Sequence, residues 1–439
     1  MSYQDKIISV QQALALVKDD DMIFTGLGAA EGRAFLGNLH TIANRIKKVT
    51  VTNCLPMAEY EFYKEEYAKQ FKVESWFYTG TMRKAQSNGN ISYIPNHLHL
   101  TAYKRLYHVP SPDIYVGIAS MPDKHGFMSL SLSNTYEKRI IVAAKTVILE
   151  INPNAPRTFG DLEISVNDVD FLIETDYPML ELADAEPNEK DLAIGKYIAE
   201  LVHDGDCIQL GIGGIPNAVA ASLLNHHDLG IHTEMFTTGM MRLIKKGAVN
   251  GKCKQVDTGK HVCAFAMGTK ELYDFLDDNP AVILRDAYSV NDPYTIALND
   301  NQVSINTTLE VDITGQCCSE SLGTRLFSGT GGQTDTVVGS QMAKNGRSFI
   351  ALYSTAMVKN AETGEREEIS KIVGQLKKGA GVTLSRNDID YLVTEYGIVN
   401  LRGTSLRERA YLIASVAHPK FRDALLKEAQ ELEIISKEE

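Results

Sequence analysis

The segment Asp206-Cys-Ile-Gln-Leu-Gly-Ile-Gly213 and its near copy Asp21-Met-Ile-Phe-Thr-Gly-Leu-Gly28 constrain the fold more than any other feature of this chain. They align without a gap on the aspartate, the apolar run and both glycines, and the preceding Ala15-Leu16-Val17 falls on Glu200-Leu201-Val202. In the later copy Ala193, Ile194, Tyr197, Ile198, Leu201 and Val202 recur at helical spacing and stop at the turn pair Asp204-Gly205. Cys207 to Leu210 reads as a short buried strand, Gly211-Ile-Gly-Gly214 as a tight loop, and Pro216 as the first residue of the next helix. The likeness continues downstream, because Val49-Thr-Val-Thr-Asn53 resembles Gly230-Ile-His-Thr-Glu234 after a small change in loop length. The chain therefore reads as two related α/β halves. The second carries the carboxylate of Glu234 where the first carries the neutral amide of Asn53, which points to chemistry in the second half.

Helical periodicity alternates with short apolar runs along most of the length, as in Val10 to Val17, Met22 to Phe24, Phe35 to Ile46 and Val49 to Val51. Ile114 to Ala119, Thr146 to Glu150 and Phe171 to Glu174 add strands to the first half, and Cys263 to Met267, Phe349 to Tyr353 and Tyr391 to Glu395 to the second. Such alternation predicts two related open α/β domains with mainly parallel sheets. At 439 residues the chain is also too long for one ordinary core. The acidic, proline-bearing stretch from Asp176 to Lys190 places the boundary, giving domains 1–185 and 186–439.

A formal net charge of −12 argues against nucleic acid as a partner, since phosphate backbones are held by clustered cations. Lys245, Lys246, Lys252 and Lys254 could meet a phosphorylated ligand, but a solvated helix face is the simpler account. No apolar run is long enough to cross a bilayer, and Met1 to Lys6 shows no signal-like pattern, so a cytoplasmic protein is expected. The six cysteines lack Cys-x-x-Cys spacing. They read as buried apolar side chains rather than as a metal or disulfide framework. Asp123-Lys-His-Gly126 reads as a turn, and the charged tail from Lys427 to Glu439 as a solvated helix end.

Several chemistries compete for the glycine loop. An acid about twenty residues beyond it is the dinucleotide-binding pattern, but the third glycine of that fingerprint would fall at Pro216. Neither a phosphate-binding Gly-x-x-x-x-Gly-Lys motif nor a Gly-x-Ser-x-Gly elbow occurs, and His232 shares the face of Glu234 without an evident hydroxyl partner. A carboxylate nucleophile remains. It would attack an activated acyl group and be served by backbone donors from glycine loops. The second such loop, Ser328-Gly-Thr-Gly-Gly-Gln333, is otherwise a flexible surface segment.

Five segments together resemble the acetyl-CoA hydrolase/transferase family of class I CoA-transferases. They are Gly211 to Val219, Gly230 to Met235, Phe327 to Asp335, Ser385 to Asp388 and Val393 to Gly397. The resemblance runs through nearly the whole chain and is nearest to the 4-hydroxybutyrate and butyryl-CoA:acetate branches. It implies ping-pong transfer of CoA between carboxylic acids, with acyl-CoA and small acids as substrates, no resident cofactor and no metal. It implies Glu234 as the residue that forms a glutamyl-CoA thioester. Gln209, Leu210, Gly211, Ile212 and Gly213 match the first CoA-contacting loop, Gly332 lies in the second, and Leu309 and Ala356 match further lining segments. Asn387 and Glu395 fall in the C-terminal motifs and either support the site or serve the fold alone. The family also implies a homodimer or larger homo-oligomer, an active site between the two domains, and hence Thr79 to Ser87 as a contributor to the acyl pocket. Gly32-Arg33 and Thr237-Thr-Gly239 depart from the family pattern, the latter beside Glu234, which leaves the acyl preference open. An acyl-CoA hydrolase and a silent dinucleotide- or acyl-CoA-binding protein are the alternatives.

Overall fold

The computed structural model describes residues 3–359 and 363–436. The last residues of the tail, 437–439, lie outside them. The apolar run Met22–Thr25 becomes the middle strand of a seven-stranded, wholly parallel sheet. Val49–Asn53, Phe71–Ser75 and Ile91–Tyr93 follow on one side, and Ile114–Ala119, Thr146–Ile151 and Phe171–Glu174 on the other. All-parallel sheets need cover on both faces, and every residue of Ile114–Ala119 is buried.

The second half repeats this plan. Cys207–Leu210 is central, with Gly230–Ile231 on one side and Gln302–Thr307, Arg347–Ala351 and Tyr391–Thr394 on the other. A parallel bridge from His232 to Val262 carries the order on to His261–Cys263, which pairs with Val282–Leu284. The two series correspond strand for strand around Met22–Thr25 and Cys207–Leu210, so the short sequence match reports a real duplication of architecture. The halves also interlock. Phe159–Gly160, from the first half, pairs in parallel with Val282–Leu284 of the second.

Three local expectations change. The helix after Cys207–Leu210 begins at Gly214, so Pro216 is its third residue rather than its first. Gly213, at φ +111°, is the left-handed hinge that lets the helix start early, and proline is harmless in a first turn whose N–H groups have no helical acceptor. Phe35 to Ile46 is not one helix but a short one, Arg33–Asn38, followed by a 3-10 turn, Leu39–Ile42. Cys263 to Met267 divides between the strands His261–Cys263 and Phe265–Ala266, which pair with different neighbours.

Five of the six cysteines are buried and Cys253 is exposed; all are free thiols. Lys254 is also buried, its ammonium donating to the Lys260 carbonyl, so it belongs to the interior and not to a solvated face. Lys245 and Lys252 pair with Glu271 and Asp228. Gly126 closes the expected turn, in which the Asp123 carboxylate accepts the N–H groups of His125 and Phe127. Among the described residues no helix is long and apolar enough to cross a membrane.

Candidate active site

Glu234 lies in the short gap between Gly230–Ile231 and Met235–Phe236, at the carboxyl end of the strand beside the central one. Its backbone carbonyl accepts the N–H groups of Ala264 and Phe265, at 2.9 and 3.1 Å, which fixes the main chain. The side chain is half-buried and is met from two directions. The Asn291 amide donates to Oε2 at 3.0 Å, and the Gly332 N–H also reaches the carboxylate. Burial pushes the Glu234 carboxyl up to about 7; the Asn291 bond lowers it, the nearby Asp335 charge raises it, and the Gly332 bond lowers it again. The group is thus poised between its protonated and nucleophilic forms near neutrality.

The glycine loop after Phe327 is built rather than loose. A Cβ at Gly332 would stand 1.8 Å from Glu234 Oε2 and 2.2 Å from Asn291 Nδ2, so only glycine permits this approach. One at Gly329 would stand 2.3 Å from the Trp76 carbonyl oxygen. The first half holds the loop. Tyr78 N–H donates to the Ser328 carbonyl at 3.0 Å, Leu98 N–H to the Gly331 carbonyl at 3.1 Å, and Thr330 N–H to the Tyr93 hydroxyl at 2.9 Å. Beyond it, Asp335 Oδ1 lies 2.8 Å from His99 Nδ1 and Oδ2 accepts the His99 N–H, a second tie across the halves.

Glu234 faces a cleft of about 630 Å³ between the halves, within the size range of small-molecule sites. The second half lines it with Gln209, Leu210, Gly211, Ile212, Leu309 and Gly332. The first half contributes Leu27, Cys54, Leu55 and Phe77, together with Thr79 to Thr81 and Arg83 from the segment expected to shape the acyl pocket. Gln209 is locked in place, its Oε1 accepting the Ser304 hydroxyl at 3.0 Å and the Ile305 N–H at 3.1 Å. Arg83 is occupied too, donating to the Phe327 carbonyl and covering the Phe327 ring.

Four expected site residues are not among those lining the cleft. Gly213 caps the helix Gly214–Ser222. Ala356 sits in the hairpin of Thr355–Lys359 with Arg366–Ser370, opposite Ile369, and not among the cleft-lining residues. Asn387 is exposed on a turn, its N–H donating to the Ser385 hydroxyl. Glu395 accepts the N–H and the hydroxyl of Ser354, both at 2.8 Å, and pairs with Lys190 at 2.9 Å. Its burial raises the carboxyl, but these partners outweigh that and hold it below its ordinary value. Thr237 caps the helix Thr238–Lys246 by accepting the Met240 N–H, so the departure beside Glu234 serves the helix.

Asn291, Asp335 and His99 escaped the sequence reading. They lie far from Glu234 along the chain, and Asn291 sits in Asp286 to Asp292, which reads only as turn and cap residues. Phe77 also went unremarked, and Cys54 was read only as a buried apolar side chain although it follows directly on Asn53.

This arrangement sets a carboxylate at the wall of a cleft between two duplicated α/β halves. Sequence profiles of the acetyl-CoA hydrolase/transferase N-terminal and C-terminal domains match residues 1–181 and 268–429, and the chain belongs to that family. It is 41% identical to the succinyl-CoA:cyclohexane-1-carboxylate CoA transferase of Geobacter metallireducens, over 98% of this chain and 96% of that one. It is 38% identical to the 4-hydroxybutyrate coenzyme A transferase of Clostridium kluyveri, over 97% of each. Among solved structures, RipA from Yersinia pestis superposes with a TM-score of 0.92 at 35% identity, covering 99% of both chains. The 4-hydroxybutyrate CoA-transferase of Porphyromonas gingivalis superposes with a TM-score of 0.80 at 33% identity, covering 98% of both.

Proposed function

We propose that the chain moves CoA from a short-chain acyl-CoA to a carboxylate such as acetate, butyrate or 4-hydroxybutyrate, through a glutamyl-CoA thioester on Glu234. The observation that carries this reading is a half-buried carboxylate, held by Asn291 and Gly332, at the wall of a cleft whose other side is largely apolar. The ionised Glu234 attacks the thioester carbonyl and expels CoA thiolate, leaving a mixed anhydride. The thiolate then attacks the glutamyl carbonyl, which forms the enzyme thioester and releases the first acid. The acceptor carboxylate attacks that thioester, the thiolate leaves again, and its return to the acceptor's acyl carbon yields the new acyl-CoA and free Glu234. Atoms balance without water, metal or redox partner, so CoA acts as substrate and not as resident cofactor.

Gln209 to Ile212, Leu309 and Gly332 are the residues we assign to CoA contact, with Gly213 shaping the same loop. Glu395 and Asn387 are supporting residues, and Ala356 belongs to the wider CoA surface. Relatives named for 4-hydroxybutyrate, butyrate and cyclohexane-1-carboxylate support transfer between carboxylic acids. A cytoplasmic homodimer with a domain boundary near residue 185 completes the reading.

Mass spectrometry after incubation with butyryl-CoA and borohydride tests it, because reduction marks a thioester at Glu234. Glu234→Ala should lower transfer by at least about 10⁴-fold, and a variant that kept its transfer rate would overturn the mechanism. Continued release of free CoA and acid beyond one equivalent per site without an acceptor, in the native protein, would instead indicate a hydrolase. Attack requires the ionised form. Thioester formation should therefore climb about tenfold per pH unit at acid pH and level off above the Glu234 value of about 7.

A further inference from the structure

His232 stands two residues before Glu234 and is buried. Its Nε2 lies 2.8 Å from the carbonyl oxygen of Val290, the residue before Asn291. A carbonyl only accepts, so the imidazole proton sits on Nε2. Nδ1 has no partner among the described residues, and burial first, then the Lys254 charge, pulls the ring down to about 4. The imidazole is thus a neutral donor at any ordinary pH. It is held from behind as well, since Gln302 Nε2 donates to the His232 carbonyl at 3.2 Å.

Val290 ends the one-turn helix Ala287–Val290, and Asn291 is its cap, with its own N–H on the Ala287 carbonyl at 2.9 Å. So short a helix has little rigidity of its own. The Val290–Asn291 peptide is planar, and fixing its oxygen fixes the plane from which the Asn291 side chain departs. Asn291 Nδ2 in turn lies 3.0 Å from Glu234 Oε2. The route from His232 to Glu234 is therefore one hydrogen bond, one rigid peptide and a second hydrogen bond.

We propose that His232 is a positioning residue for the transfer reaction, aiming the Asn291 amide at Glu234 by holding the Val290 carbonyl. This rests on the reading of Glu234 as nucleophile. It gives the histidine of Gly-Ile-His-Thr-Glu a role without proton transfer and without contact to substrate.

A double-mutant cycle tests it, with single-turnover formation of the borohydride-trapped thioester as the readout. His232→Phe keeps the ring volume and loses the donor; it should slow formation by up to about 100-fold and leave KM for acyl-CoA within about threefold. His232→Gln, whose amide can donate from nearly the Nε2 position, should restore most of the rate. In an Asn291→Ala background His232→Phe should cost no more than about twofold, because its route to Glu234 is already cut. A full multiplicative loss in that background, or a native rate in His232→Phe alone, overturns the proposal. Should His232→Phe not fold, His232→Gln decides: a folded protein as slow as Asn291→Ala overturns the proposal, and a native-like rate supports it. Glu234→Ala, run alongside, separates the two claims, since thioester formation in that variant would defeat the nucleophile assignment itself.

Discussion

Asn53 and Glu234 end corresponding strands of the two sheets, yet their surroundings have diverged completely. The Asn53 amide is turned inward, where its Nδ2 donates to the Tyr63 hydroxyl at 3.1 Å and its backbone carbonyl takes the Trp76 N–H. Glu234 is turned into the cleft and meets donors supplied by two separate loops. The first half has become a wall, offering Cys54 and Phe77 to the cleft and gripping the glycine loop. The second half has kept the reactive group. A duplicated fold can thus divide its labour by one side-chain position per copy, because strand-end geometry is inherited and only the group placed there needs to change.

Three changes would break or sharpen this contrast. The largest effect is expected from Gly332→Ala, whose new Cβ would overlap both Glu234 and Asn291. Transfer should fall about 1000-fold and the melting temperature should drop with it, since Gly332 is buried in a loop anchored on the first half; steady-state rates and calorimetry check this. Next, Asn53→Asp would place an ionised carboxylate in the first half without the donors that serve Glu234. It should cost about 3 kcal/mol of stability at pH 8, measurable by urea unfolding, and create no second trapped thioester.

The smallest effect concerns Glu234 and stability. Its folded value lies above the ordinary carboxylate range, so the native state binds the proton more tightly than the unfolded chain does. Stability from this group is complete below about 4.5 and is lost as pH rises through about 7. Glu234→Gln escapes that loss, and should gain on the order of 2 kcal/mol relative to the native protein between pH 5 and pH 8.

The duplication was legible in the sequence because its signal is local: an aspartate, an apolar strand and two glycines at fixed spacing. Glu234 was legible because its counterpart differs, and Gly332 because clustered glycines mark close backbone approach. What surrounds Glu234 was not. His99 reaches the site through cross-half docking and Asn291 through sheet order, neither encoded by spacing along the chain; Asp335 lies three residues after Gly332, and only its tie to His99 was hidden. The glycine loop after Phe327 looked mobile for the same reason, its anchors being Tyr78, Tyr93 and Leu98 of the other half. Pro216 misled by two residues, since a left-handed Gly213 can open a helix ahead of a proline.

The pairing of Phe159–Gly160 with Val282–Leu284 bears on how the molecule assembles. The second half's sheet is not closed by its own residues, so its edge stays open until a strand made much earlier in synthesis comes to it. Such a long-range closure is slow, because chain entropy is lost before contacts repay it. The cleft is therefore made by joint folding rather than by docking of two finished parts. Expressed alone, residues from 186 onward should present an unprotected strand edge and be prone to aggregate.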